Sequence, residues 1–201
     1  SMAVPALNIL PLDLAVNKAR ILSLKEKEDK KWVNVMALSD NKSFMKIDAR
    51  IEGNQVKGHR STVLYGQEAI EYQTNEKHKQ DSLVSNPKNN VSQKEKLTFT
   101  NLKVKKQEND YALIEEEFDF VLQADRTNDH LYINPMLFPQ LKSNPFIQTE
   151  RVLPIEFPYP YKFTMLSTLT LPEGYEVEEL PQSQSIRSEG DGLQCKYMIQ
   201  Q

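Results

Sequence analysis

Four groups of side chains in this sequence are of types that could do chemistry. Cys195, the single cysteine, would need a neighbouring base to form thiolate at neutral pH and polar groups to hold an oxyanion. In "LQCKYMI" it alternates instead with Leu193, Tyr197 and Ile199, the pattern of a small side chain buried on a strand. The histidines, His59, His78 and His130, lie 19 and 52 residues apart, and no pair has the i, i+4 or short-turn spacing of a preformed metal site. Glu115, Glu117 and Asp119 share one face of a strand in "DYALIEEEFDFVLQA", and two carboxylates are enough for glycoside hydrolysis. Successive ones are about 6.6–7 Å apart on a strand, and no apolar pocket is in evidence to raise one pKa above the other. They read as the solvated face opposite Ile114, Phe118 and Phe120. Glu116 falls on the apolar face, where an unpaired carboxylate is costly, so either the strand bulges there or a basic side chain meets it. In the cluster Phe157, Tyr159, Tyr161 and Phe163, tyrosine offers flat apolar area with a polar tip. Tyr159 and Tyr161 are the candidate ligand-binding residues, with core packing as the alternative role. No catalytic residue, metal ligand or cofactor is assigned.

The elements that must carry these side chains are mainly strands, because apolar residues recur with period two far more often than with helical spacing. Phe163, Met165, Ser167, Leu169 and Leu171 share one face and Lys162, Thr164, Thr168 and Thr170 the other, with Leu166 alone out of pattern; that is a half-buried strand. "SFMKIDARIEGNQVKGHRSTVLY" aligns Met45, Ile47, Ala49 and Ile51 and turns at Gly53-Asn54, a pair that readily takes positive φ, which predicts a hairpin from about 43 to 65. Ile21, Leu22 and Leu24, with Trp32, Val33 and Val35, flank a charged loop and predict a second pair. "SIRSEGDGLQCKYMIQQ" predicts a third around Gly190-Asp191-Gly192. Residues 67–79, "QEAIEYQTNEKHK", are helix formers with a thin apolar stripe, and 80–95 is a polar connection containing Asn-Pro and Asn-Asn. Proline lacks an N–H and is confined to strand ends, edges and bulges. Pro154, Pro158, Pro160, Pro172 and Pro181 therefore cut a β-meander into strands. The expected fold is mainly β, antiparallel and sandwich-like with one short helix, as a module over 1–147 and a smaller β domain over 148–201.

Composition narrows the partners. With 39% hydrophobic residues in 201, the chain has material for one sizeable core or two small ones. Its 25 basic and 28 acidic residues leave a net charge of −3, with no broad positive field to hold a phosphate backbone, so nucleic acid is not an expected partner. No apolar run approaches the ~20 residues that span a bilayer. One cysteine excludes an internal disulfide and leaves the redox compartment open.

"NPFIQTERVLPIEFPYPYKF", followed by "LTLPEGYEVEELP", resembles the C-terminal region of transglutaminase-like proteins of the Gram-negative bacterial envelope, in which a β-rich domain of unknown function follows a papain-like catalytic core. The residues that carry the resemblance are Asn144, Pro145, Phe146, Arg151, Pro154, Phe157, Tyr159, Pro160, Leu171, Pro172, Glu173, Gly174, Tyr175, Leu180 and Pro181. "HLYINPMLF", "WVNV" and "EGNQVKG" are similar less specifically. The resemblance implies that the catalytic cysteine, histidine and aspartate belong to an upstream domain, so this chain is not itself the enzyme. It implies a non-catalytic β-module of an exported protein in the periplasm or outer envelope, which positions the catalytic domain or helps bind its protein or peptidoglycan-type substrate. The alternative is a free-standing glycan- or protein-binding module of the envelope. The partners implied are the upstream transglutaminase-like domain of the same parent chain and an envelope protein or glycan. In the resembled family further strands follow, so the strand from Leu193 is expected to leave an open edge and to form a homodimer through residues 185–200.

Overall fold

The computed structural model describes residues 18–22, 31–34, 41–79, 97–107, 110–139, 147, 157, 159–188 and 192–201. Leu24, Val35, the polar stretch 80–95, Pro154, Pro158 and Gly190-Asp191 lie outside them. The chain divides into two compact units after Thr170. In chain order the first holds β1 (Ala19–Arg20), β2 (Trp32–Val33), β3 (Lys42–Glu52), β4 (Gln55–Tyr65), α1 (Gln67–Lys79), β5 (Leu97–Gln107), β6 (Asp110–Gln123), β7 (Asp125–Thr127), β8 (His130–Tyr132) and β9 (Lys162–Thr170). The second holds β10 (Gln184–Arg187) and β11 (Gln194–Tyr197). The fold is mostly β with one short helix.

The first unit is built on a five-stranded sheet in the order β5-β6-β4-β3-β9. Its neighbours are antiparallel except β3 and β9, which run parallel from Lys42 opposite Lys162 to Arg50 opposite Thr170. Strand β9, expected from its sequence within the region beginning at 148, is thus hydrogen-bonded into the sheet of the N-terminal region. The β3–β4 hairpin turns at Gly53-Asn54, where Gly53 takes φ +61°, a conformation nearly free of cost only for glycine. Period-two alternation then sorts the side chains. Met45, Ile47, Ala49 and Ile51 of β3, Val56 of β4 and Ile114, Phe118 and Phe120 of β6 are buried on one face. Phe99 packs on Phe118 with the rings tilted by 43°, and Phe138 meets Phe118 and Phe120 edge-on with centroids 5.9 and 4.9 Å away. Gly58 sits opposite Ala49, where a Cβ would lie 2.5 Å from the Asp48 carbonyl oxygen and 2.8 Å from the Ala49 Cβ. The two strands pack more closely there than a side chain allows.

Helix α1 packs on β6 and β4. It completely buries only Ala69 of its apolar side chains, so polar bonds must hold what its thin stripe cannot. Gly66, at φ +65°, turns the chain out of β4, donating its N–H to the Ala112 carbonyl at 2.8 Å.

The second unit opens on a turn in which the Tyr175 N–H reaches the Pro172 carbonyl at 3.3 Å, with Gly174 at φ +84°. Positive φ at the third position is what a type II turn requires. Strands β10 and β11 pair antiparallel, Ile186 opposite Cys195. The expected burial of Cys195 is not found: the thiol is exposed, as are Ile186 and Leu193. Ile186 and Cys195 share a face, but a two-stranded ribbon supplies no second layer of its own to cover it.

Candidate functional site

The open face of the sheet carries the acidic strand. Lys103 donates to Glu117 at 3.0 Å and Lys105 lies 3.7 Å from Glu115. His59 Nδ1 is 2.8 Å from Asp119 Oδ1, and Asn101 Nδ2 donates to Asp119 Oδ2 at 2.7 Å. Asn101 adopts φ +56° at a register shift in β5 between Thr100 and Lys103, and this bulge aims its amide at the carboxylate. The Lys103 bond and charge hold Glu117 below the usual carboxylate range, and the Asn101 bond, followed by that of His59, does the same for Asp119. Two carboxylates both favoured as anions do not divide into an acid and a base, which fits the solvated face that alternation predicts.

On the covered face Glu116 does find a basic partner. Its Oε1 accepts from Arg60 Nη2 at 3.3 Å and its Oε2 from the Tyr72 hydroxyl, with the Arg60 and Glu116 side chains only 19% and 15% exposed. The register of β6 against β4 is unbroken there. The guanidinium lies 4.9 and 5.1 Å from the centroids of Phe118 and Phe138, and its Nε donates to Thr62. Burial lowers the Arg60 pKa, against the opposing pull of Glu116.

The structure separates the two candidate tyrosines. Tyr159 is 8% exposed, and its hydroxyl lies 2.9 Å from Glu68 Oε1 and 3.0 Å from Glu71 Oε1, two residues one helical turn apart on α1. One phenolic proton faces two carboxylates. Burial, seconded by the charge of Glu71, raises the Glu68 pKa against the opposing Tyr159 bond; burial and then the Glu68 bond push the Tyr159 pKa strongly up. The phenol therefore stays a donor, and the cluster pins the segment before β9 to the helix. Tyr161 is 36% exposed, its hydroxyl 2.8 Å from that of buried Ser43. Tyr161 is thus the more exposed of the two candidates.

Asn41 ties the same three segments together. Buried to 5% exposure, it accepts the Gln67 N–H at Oδ1 (2.9 Å), donates from Nδ2 to the Pro160 carbonyl (3.2 Å) and accepts the Lys162 N–H at its backbone oxygen (3.0 Å). It caps α1 from outside the helix and fixes the entry to β9. Neither Asn41 nor the Glu68/Glu71 pair stands out in the sequence as chemistry, though the i, i+3 spacing of the glutamates does place them on one helix face.

His59 is brought to a carboxylate; His130 is exposed on β8, and the side chain of His78 lies outside the described ones. Among the described residues no group of three or more His, Cys, Asp or Glu is placed to hold a metal ion, and no helix is long and apolar enough to cross a membrane.

Residues 129–201 match the family DUF3858, a domain of unknown function with a solved structure. No curated protein and no solved structure matches the chain. The matched stretch contains β8 to β11 and Tyr159.

Proposed function

We propose that this chain is a non-catalytic β-module of an exported transglutaminase-like protein, at work in the periplasm or outer envelope, where it positions the catalytic domain or helps bind its protein or peptidoglycan-type substrate. The observation that supports this reading is an overlap. The residues resembling the envelope family, Asn144 to Pro181, fall inside the stretch matched to a domain of unknown function. Where that stretch enters the sheet, its contacts are of a structural kind: β9 pairs with β3, Tyr159 is pinned by Glu68 and Glu71, and Pro160 is held by Asn41. Such anchoring suits a scaffold that holds a neighbouring domain.

The upstream coding sequence tests the proposal. The reading frame upstream of this chain is expected to continue into a domain with cysteine, histidine and aspartate in that order. A stop codon or a signal peptide immediately upstream would refute it and leave the free-standing binding module. Fractionation of the native host tests the location, and recovery of the protein in the cytosol would reject the envelope.

A further inference from the structure

The two edges of the five-stranded sheet are built differently. At β5 the backbone bulges at Asn101, and Lys103, Lys105 and Lys106 line the strand. Bulges and lysines are what proteins use to stop an edge from recruiting another strand. Strand β9, the opposite edge, has none of this. Its nine residues contain no proline or glycine, its register with β3 is unbroken, and its one charge, Lys162, stands at its start. Among the described residues β9 is hydrogen-bonded only to β3.

The Lys162 N–H points to the Asn41 carbonyl, so the peptide groups of Lys162, Thr164, Leu166, Thr168 and Thr170 face β3. Those of Phe163, Met165, Ser167 and Leu169 face outward. The side chains of these four are half-buried, whereas Met45, Ile47 and Ala49 beside them on β3 are buried. Among the described residues no strand pairs with these outward groups, and the apolar side chains beside them are incompletely covered. Leu166, the residue that broke the polar alternation, is 51% exposed on the open face.

We infer that β9 is a self-association edge, through which two copies of this chain pair antiparallel over Lys162–Thr170 about a two-fold axis at Leu166, joining their sheets into one. Outward peptide groups must meet outward peptide groups, and full overlap of the nine residues then leaves a single register. It sets Phe163 opposite Leu169 of the second copy, Met165 opposite Ser167, Thr164 opposite Thr168, Lys162 opposite Thr170, and Leu166 opposite itself. No like charges face each other, and apolar side chains meet apolar or small ones. This self-complementarity selects a second copy over an unrelated peptide. With nine residues a side, against the roughly 20–30 of a standard interface, the dimer is weak and concentration-dependent.

Sedimentation velocity across a concentration series of the full chain is expected to show a monomer–dimer equilibrium. Leu166→Lys, which sets two charges against each other at the axis, shifts it to monomer without lowering the melting temperature, because the site is exposed. Register is read by disulfide trapping in a Cys195→Ser background. Leu166→Cys brings two Cα atoms to about 4.5 Å in a non-hydrogen-bonded pair, within disulfide reach, and gives a covalent dimer on mild oxidation. Thr170→Cys leaves its two thiols about 26 Å apart along the strands and gives none. Tyr197→Lys, which would disrupt association through the C-terminal hairpin, leaves the dimer intact. A monomer at every concentration, a Leu166→Lys variant that still dimerises, or a dimer lost with Tyr197→Lys overturns the inference.

Discussion

Replacing Asn41 by alanine tests the claim that one buried amide joins β3, α1 and β9. Its side chain accepts from Gln67 N–H and donates to the Pro160 carbonyl, and Asn41→Ala leaves one donor and one acceptor without that partner. An unmet buried polar group costs about 1–3 kcal/mol, and loss of a helix cap typically about 1 kcal/mol. The Pro160 bond, at 3.2 Å, belongs at the lower end, which makes the expected loss about 2–4 kcal/mol. Asn41→Asp keeps an acceptor for Gln67 N–H, now charged at the positive end of the helix, and loses only the donor to Pro160; its cost is about 1–2 kcal/mol at neutral pH. Urea unfolding followed by far-UV circular dichroism reads both variants. With an m-value of about 2 kcal/mol/M, Asn41→Ala lowers the midpoint by roughly 1–2 M and Asn41→Asp by less than about 1 M. An alanine variant within about 0.25 M of the wild type, or an aspartate variant less stable than the alanine one, would refute the reasoning.

Arg60→Ala leaves the covered Glu116 with the Tyr72 hydroxyl but without its cation and is expected to cost about 3 kcal/mol or more, whereas the double change Arg60→Met with Glu116→Leu costs less than Arg60→Ala alone. A double variant as destabilised as Arg60→Ala or more so would show that the cost does not come from an uncompensated Glu116. Glu68 holds its proton more tightly in the folded chain than in the unfolded one, so its contribution is fully present below the unfolded carboxylate pKa and is lost as pH rises through the folded pKa. Glu68→Gln, which retains an oxygen for the Tyr159 hydroxyl, is therefore more stable than the wild type at pH 7, by at most about 1 kcal/mol because the site is partly exposed, and equal to it near about pH 3. An identical melting offset at both pH values contradicts this. Gly58→Ala drives a Cβ against the β3 backbone and is expected to cost about 3 kcal/mol; a midpoint shift equivalent to under about 1 kcal/mol would show that β3 and β4 separate at little cost.

Local pattern carried the reading of elements well. The hairpin about Gly53-Asn54, the helix over 67–79 and the long strand ending at Gln123 follow from periodicity and turn chemistry, which act within a few residues. Glu116 shows how far such reasoning reaches. Its place on the apolar face called for either a bulge or a basic partner, but the choice between them and the identity of Arg60 depend on the β4–β6 register, which the alternation of one strand does not contain. Tyr159 and Tyr161 have the same residue type and the same parity, yet Tyr159 is buried against two glutamates of α1 and Tyr161 is not buried, a difference set by tertiary contacts that parity does not contain. Asn41 was invisible for a related reason: it acts on segments that are distant in sequence and become neighbours only once the sheet has formed. Cys195 misled because alternation identifies a face without saying whether anything lies on it.

The parallel pairing of β3 with β9 has a consequence for the order of events in folding. Lys42 and Lys162, 120 residues apart, are the first partners in that ladder, and closing a loop of this length costs about 4 kcal/mol of chain entropy. The β3–β4 hairpin closes through two residues and pays almost none of it, so the hairpin forms early and β9 docks late. At a synthesis rate of roughly 5–20 residues per second, β3 waits roughly 6–24 s on the ribosome before its neighbour exists. Throughout that interval β3 is itself an open edge. Lys42, Lys46, Asp48 and Arg50 alternate along it with the apolar core residues, and these charges act as gatekeepers against pairing with another nascent chain until β9 arrives to cover the strand.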